Sequence, residues 1–155
     1  LEAKVQAMGL SDMVVFPGYI SEEEKAAHYN LADAYVMPSM GEGFGIVLIE
    51  AAACGIPVVG SRLDGSREAL LQGRLGRLVD PQEPDEIIAA ITEVLTNAAP
   101  RRRNDAVTTF DRASFRSRVA TWCESVVAAE SSPRLHGQLE GGAVEAGVSI
   151  KRSGQ

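Results

Sequence analysis

Apolar residues along this chain follow two rhythms. Short runs rich in apolar and β-branched residues, MVVFPGY at 13–19, DAYVMPS at 33–39, IPVVGS at 56–61 and GRLGRLVDP at 73–81, are too brief for helices and carry proline or glycine at their ends. They predict four strands, those at 13–19 and 56–61 buried. Between them the spacing changes to three and four. Residues 2–9 read as the end of a helix closed by Gly9. Ser21 followed by Glu24 has the form of a capping box for a helix over about 22–30, with Glu22 and Glu23 suited to the positive end of its dipole. Residues 44–54 predict a helix ended by Gly55 and Pro57, and 84–98 an amphipathic helix with Ile87, Ile88, Ile91 and Leu95 on one stripe. A last helix over 111–129 places Phe115, Val119 and Trp122 in line with Phe110, a stripe expected to pack into the core.

Strands that alternate with helices and are too apolar to face water predict an α/β fold: a parallel sheet with helices on both faces. From residue 131 the sequence turns to Ser, Gly and isolated charges without usable periodicity. The expected organisation is therefore one domain over 1–130 and a disordered tail over 131–155.

Composition narrows the class. At 155 residues, 45% of them hydrophobic and 23% charged, the chain suits one ordinary globular domain. A net charge of -6 argues against nucleic acid, which demands clustered cations, and the run Arg101-Arg102-Arg103 reads as a solvated turn or, at most, a membrane-edge contact. Cys54 and Cys123 lack metal-type spacing and suit a reducing compartment, Cys54 as a small apolar residue at a helix end. His28 and His136 fall outside the candidate site and read as solvent or packing residues. No stretch approaches the roughly 18 apolar residues of a membrane span, and LEAKVQAMGL has no signal-peptide pattern, so a cytoplasmic location is expected. That opening reads as mid-helix and lacks Met, which predicts a piece of a longer protein.

Ligands of open parallel sheets bind outside the carboxyl ends of the strands, where loops enter helices. Two loops qualify, after Phe16 and after Met37. In the second, PSMGEGFG, glycines 41, 43 and 45 let the backbone approach a ligand or simply form a tight turn. The helix behind it offers the N–H groups of Phe44, Gly45 and Ile46 as a phosphate seat. Glu42 stands in the loop and Glu50 lies inside the apolar run 44–54. A carboxylate there must find donors or cost several kcal/mol, about the price of an unpaired buried charge. It either pairs with a cation, caps a neighbouring turn, or accepts the paired hydroxyls of a ligand such as a ribose. Arg62, Asp64 and Arg67 border the same edge, as ligand contacts or as a surface loop, and Glu68 as a cap or orienter of the Gly65-Ser66 turn.

PSMGEGFGIVLIEAAACGIPVVGS, continued by DGSREAL and GRLGRLVDP, resembles the C-terminal, donor-binding domain of the retaining GT-B glycosyltransferases of family 4 (group 1) over about residues 1–130. The motif is the E-x7-E pair Glu42 and Glu50 around a GFG, followed by ACGIPVV. The resemblance implies a Rossmann-like domain, incomplete at its N-terminus, in which Glu50 binds ribose hydroxyls and Glu42 is the catalytic-site residue touching the transferred sugar. Backbone groups of Gly43, Phe44, Gly45 and Ile46 would hold sugar hydroxyls and diphosphate, and Gly18, Tyr19 and Ile20 would meet the base. It further implies hexose transfer from a UDP-, GDP- or ADP-sugar to a glycan or lipid-linked acceptor, in polysaccharide biosynthesis, with no cofactor, no obligatory metal and peripheral contact with the inner membrane face. Related readings are a glycogen or sucrose synthase type and a non-catalytic nucleotide-sugar-binding module. The family's Gly-Arg loop and Lys that hold the diphosphate have no counterpart in this sequence, so the chain alone is expected not to turn over substrate.

Overall fold

The computed structural model describes residues 1–97 and 101–131, and the expected tail lies, but for its first residue, outside the described residues. The chain divides into two compact units, Leu1–Phe115 and the part from Arg116 onward, the second described here through a single helix.

In the first unit the order is α1 (Glu2–Ala7), α2 (Glu22–Leu31), β1 (Tyr35–Met37), α3 (Ile46–Ala53), β2 (Val58–Ser61), α4 (Ser66–Ala69), β3 (Arg77–Val79) and α5 (Pro84–Thr96). A 3-10 turn follows α4 at Leu71–Gly73 and another spans Asp105–Phe110, while α6 (Arg112–Ser131) crosses into the second unit. The strands form a parallel sheet in the order β1-β2-β3, with Tyr35 opposite Val58 and Gly60 opposite Leu78. The α/β class and the parallel sheet expected from the sequence are what the structure contains.

Alternation along β2 distributes the core. Val58 joins Leu48, Ala51, Ala52, Ile56, Leu70 and Leu75 on the face covered by α3 and α4, whereas Val59 packs with Val79 and Ala90 beneath α5. All four residues of β2 are buried, as the middle strand of a sheet covered on both faces requires. The α2 start is the capping box that its sequence spells out: Ser21 Oγ accepts from Glu24 N, and the Glu24 carboxylate accepts from Ser21 N. Its end is finished from a distance. Arg101 donates to the carbonyl oxygens of Asn30 at 2.5 Å and Ala32 at 2.7 Å, so the run 101–103, exposed as expected, also supplies a helix C-terminal cap.

Four expectations change. Residues 13–19 form no strand: Met13, Val15 and Tyr19 are exposed, and no strand pairs with the run among the described residues, although β1 is the edge of the sheet. Apolar composition makes a strand only where a partner edge receives its N–H and C=O groups. The helix expected from Phe44 begins at Ile46, because Gly45 takes a left-handed φ of 82° and turns the chain before the first helical residue. On α5 the inward stripe is Ile87, Ala90 and Val94, with Ile88 and Leu95 exposed, a rotation of less than half a turn from the expected face. Phe110 packs against the core, but Phe115, Val119 and Trp122 are exposed. Helical spacing reports which residues share a face, not whether that face is covered.

Gly76, just before β3, lies flush against β2: a Cβ there would sit 2.5 Å from the Val58 carbonyl oxygen. At Gly41 a Cβ would meet nothing within 4 Å. Gly76→Ala is expected to destabilise the domain by about 2–4 kcal/mol and lower Tm by several degrees, while Gly41→Ala leaves Tm nearly unchanged, as read by circular-dichroism melting.

Candidate functional site

The loop from β1 to α3 and the loop from β2 to α4 both leave the carboxyl edge of the sheet, and one side chain joins them. Asp64 Oδ2 accepts from Ser39 Oγ at 2.7 Å and from the Glu42 N–H at 3.0 Å, and its Oδ1 accepts from the Ser66 N–H at 3.0 Å. The Gly65 N–H donates to the Glu42 carbonyl at 3.0 Å. The backbones meet so closely that a Cβ on Gly65 would lie 2.0 Å from the Gly43 carbonyl oxygen, a place only glycine fits. Burial alone would push the Asp64 carboxyl up, but the donors from Glu42, Ser39 and Ser66 stabilise its ionised form and hold it at about 2.

Glu42 is half-buried, and its Oε1 accepts from the N–H groups of Phe44 at 3.3 Å and Gly45 at 3.1 Å. It thus caps two of the amides that the sequence reading offered to a phosphate. The first N–H groups of α3 itself, beginning with Ile46, have no intrahelical acceptor by construction of the helix. The ring of Phe44 leans edge-on against Phe110 with centroids 5.8 Å apart, so this side chain anchors the loop while its backbone faces the candidate seat.

Glu50 resolves its burial with donors from α2. Tyr29 donates its hydroxyl to Glu50 Oε2 at 2.9 Å, and Lys25 Nζ lies 3.4 Å from Glu50 Oε1 while bonding Glu22 more closely at 2.7 Å. Tyr29 in turn packs edge-on against Tyr35 of β1, with centroids 5.5 Å apart. Burial, and then donation to Glu50, push the Tyr29 hydroxyl pKa upward, and burial followed by the charges of Glu50 and Glu42 does the same for Tyr35. A cation partner and a ligand hydroxyl were alternatives for Glu50 in the sequence; the structure contains the cation and a tyrosine as well, and leaves the carboxylate about one third exposed.

The expected site residues therefore fall into two groups. Glu42, Gly43, Phe44, Gly45, Ile46 and Glu50 share one loop and the helix it enters. Gly18, Tyr19 and Ile20 form the lead-in to α2, and no hydrogen bond among the described residues joins them to either glutamate. Asp64 was legible only as a bordering residue; besides Ser66 its partners are 22 and 25 positions away, so the signal was the acidic residue beside Gly65. Tyr29 and Lys25 carried no signal beyond their i, i+4 spacing on α2. Arg62 turns away from the seat to pair with Glu86 and Asp80, tying the loop after β2 to α5. His28 is exposed, with Nδ1 at 3.0 Å from the Glu24 carbonyl oxygen.

Residues 1–108 match the family described as glycosyl transferases group 1. A GDP-mannose-dependent alpha-(1-6)-phosphatidylinositol monomannoside mannosyltransferase of Mycolicibacterium smegmatis is 39% identical over 109 residues, 66% of this chain and 28% of its own length. Sucrose-phosphate synthase from Thermosynechococcus elongatus superposes with a TM-score of 0.69 at 33% identity, over 83% of this chain and 34% of that one. HepE of Anabaena, solved in complex with UDP, gives a TM-score of 0.61 at 27% identity, over 80% and 35%. The chain thus spans 28% to 35% of the length of these proteins.

The depressed Asp64 carboxyl links the site to acid stability. Its pKa is about 2 in the folded chain and about 3.9 when unfolded, so its contribution is complete above pH ~4 and is lost as pH falls toward 2. Asp64→Asn is expected to cost about 1–2 kcal/mol at pH 7, discounted for partial exposure, with the gap from the unsubstituted chain closing between about pH 4 and pH 2 in urea unfolding.

Proposed function

The chain belongs to the group 1 glycosyl transferases, and on that premise we propose that it forms the donor-binding part of a retaining enzyme that moves a hexose from a nucleoside diphosphate sugar to a glycan or lipid-linked acceptor. The observation that carries this reading is the placement of Glu42 and Glu50 on the loop and helix that follow the carboxyl end of β1, the ligand-binding edge of a parallel sheet. Glu50 accepts the ribose hydroxyls through Oε1, the more weakly held of its two oxygens. Glu42 contacts the transferred sugar, and the backbone groups of Gly43, Phe44, Gly45 and Ile46 receive the sugar hydroxyls and the diphosphate. The lead-in of Gly18, Tyr19 and Ile20 meets the base.

Several features support these roles. Carboxylates accept and do not donate, so two of them suit a ligand rich in hydroxyl groups. The Phe44 and Gly45 amides donate to the Glu42 carboxylate, which is in keeping with amides that hold an anionic oxygen and that a ligand takes over from Glu42. The UDP bound to HepE supports a nucleotide as the ligand class, and the GDP-mannose dependence of the Mycolicibacterium mannosyltransferase, which acts on a phosphatidylinositol monomannoside, supports a nucleoside diphosphate hexose and a lipid-linked acceptor. The likeness to sucrose-phosphate synthase supports a second reading, a synthase of that type, which uses the same donor site.

Departure of a diphosphate is favoured by positive charge and preorganised amides. Among the described residues the cation within bonding distance of either glutamate is Lys25, and it is held by Glu22 and Glu50. The α3 amides are therefore this chain's own contribution to leaving-group stabilisation, and transfer by this chain alone is not expected. None of the described helices is long and apolar enough to cross a membrane, and we place the protein in the cytoplasm, meeting lipid-linked acceptors at the inner membrane face.

A calorimetric binding panel of UDP-, GDP- and ADP-sugars on the full-length protein tests the reading. One of them is expected to bind, and Glu50→Ala to weaken it about 10- to 100-fold, the loss for removing a charged hydrogen-bond acceptor. Unchanged affinity in that variant overturns the assignment of Glu50, and no binding to any of the three overturns the donor reading.

A further inference from the structure

The two oxygens of Glu50 are not equivalent. Oε2 receives the Tyr29 hydroxyl at 2.9 Å, a full hydrogen bond, whereas Oε1 lies 3.4 Å from Lys25, whose ammonium is closer to Glu22 at 2.7 Å. Tyr29 is itself fixed: it stands half-buried on α2, one turn beyond Lys25, with its ring edge-on to Tyr35 of the sheet's edge strand. A glutamate has three side-chain rotors, and a carboxylate left free to turn presents its lone pairs in many directions. The tyrosine removes that freedom at one oxygen and leaves the other with acceptor capacity beyond its long contact with Lys25.

We propose that Tyr29 is the positioning residue of the site: it holds Glu50 through Oε2 so that Oε1 faces a vicinal diol of the ligand. This rests on the donor reading above and adds to it a second element, since α2 thereby sets the ligand preference of a carboxylate carried on α3. Lys25 contributes charge at long range and is the weaker of the two holds, because Glu22 competes for it. Hydroxyl selectivity is accordingly a property of the α2–α3 pair. An altered packing of Tyr29 on Tyr35 changes it without touching any group that meets the ligand.

Tyr29→Phe keeps the ring on Tyr35 and removes only the donated hydroxyl. The test is isothermal titration of the full-length protein with UDP, GDP and ADP, each as the ribonucleotide and as its 2′,3′-dideoxy form, for the unsubstituted protein, Tyr29→Phe, Glu50→Gln and the double variant. Tyr29→Phe is expected to weaken the best-bound ribonucleotide about 5- to 10-fold while leaving the dideoxy form within about twofold, and the double variant to bind like Glu50→Gln. Equal weakening of both forms assigns Tyr29 a general structural role and overturns the proposal. So does ribose selectivity that survives Tyr29→Phe but is lost in Glu50→Gln, a result that leaves the donor reading standing. Equal binding of ribo and dideoxy forms by the unsubstituted protein overturns the proposal together with the ribose role of Glu50, and binding of none of the three ribonucleotides overturns the proposal and the donor reading together.

Discussion

The carboxylate of Asp64 accepts hydrogen bonds from both loops that leave the carboxyl edge of the sheet, and the position of the loop that carries Glu42 follows from it. Through Ser39 Oγ and the Glu42 N–H it holds the loop after β1; through the Ser66 N–H it holds the start of α4. With Gly65 pressed on the Gly43 carbonyl, the two loops behave as one surface. A negative charge at that junction is tolerable because its donors are fixed amides and a hydroxyl, which stabilise the anion at little reorganisation cost.

The two glutamates of the site use the same chemistry in opposite directions. Glu42 turns inward on its own loop and satisfies the Phe44 and Gly45 amides, while Glu50 reaches across to α2 and takes donors from Tyr29 and Lys25. Each carboxylate is thereby compensated before any ligand arrives. A ligand entering such a site exchanges acceptors and donors with the protein rather than filling unmet ones, so selectivity comes from geometry more than from raw hydrogen-bond number.

What was legible in the sequence was what local chemistry decides. The capping box at Ser21 and Glu24, the Gly55-Pro57 stop after α3 and the buried apolar strand at 58–61 depend on neighbours within a few positions, and they stand where the residues put them. The run 13–19 failed because strand formation needs an edge elsewhere in the chain. The first turn of α3 failed because nothing in GFG says that the second glycine takes a left-handed φ. At the site, the glutamates were visible as charges out of place and Asp64 as a bordering acid, but the partners of Asp64 and the roles of Tyr29 and Lys25 were not, since a hydrogen bond spanning 21 to 25 positions leaves no periodic trace. The aromatic stripe of α6 was visible as a pattern, yet exposure is a property of what lies opposite.

The two ends of α2 belong to different times in folding. Its N-terminal box closes over three residues and can form as soon as the chain is made, but its last carbonyls are finished by Arg101, 71 positions beyond Asn30. The α2 C-terminus therefore frays until the sheet has been assembled and the segment beyond α5 has returned to it, so its slow-exchanging amides should lie toward the start of the helix in any partly folded state. Tyr29 lies in that last turn. The Arg101 bonds thus add a last, long-range hold to the turn that carries the residue orienting Glu50, which ties readiness of the site to completion of the fold.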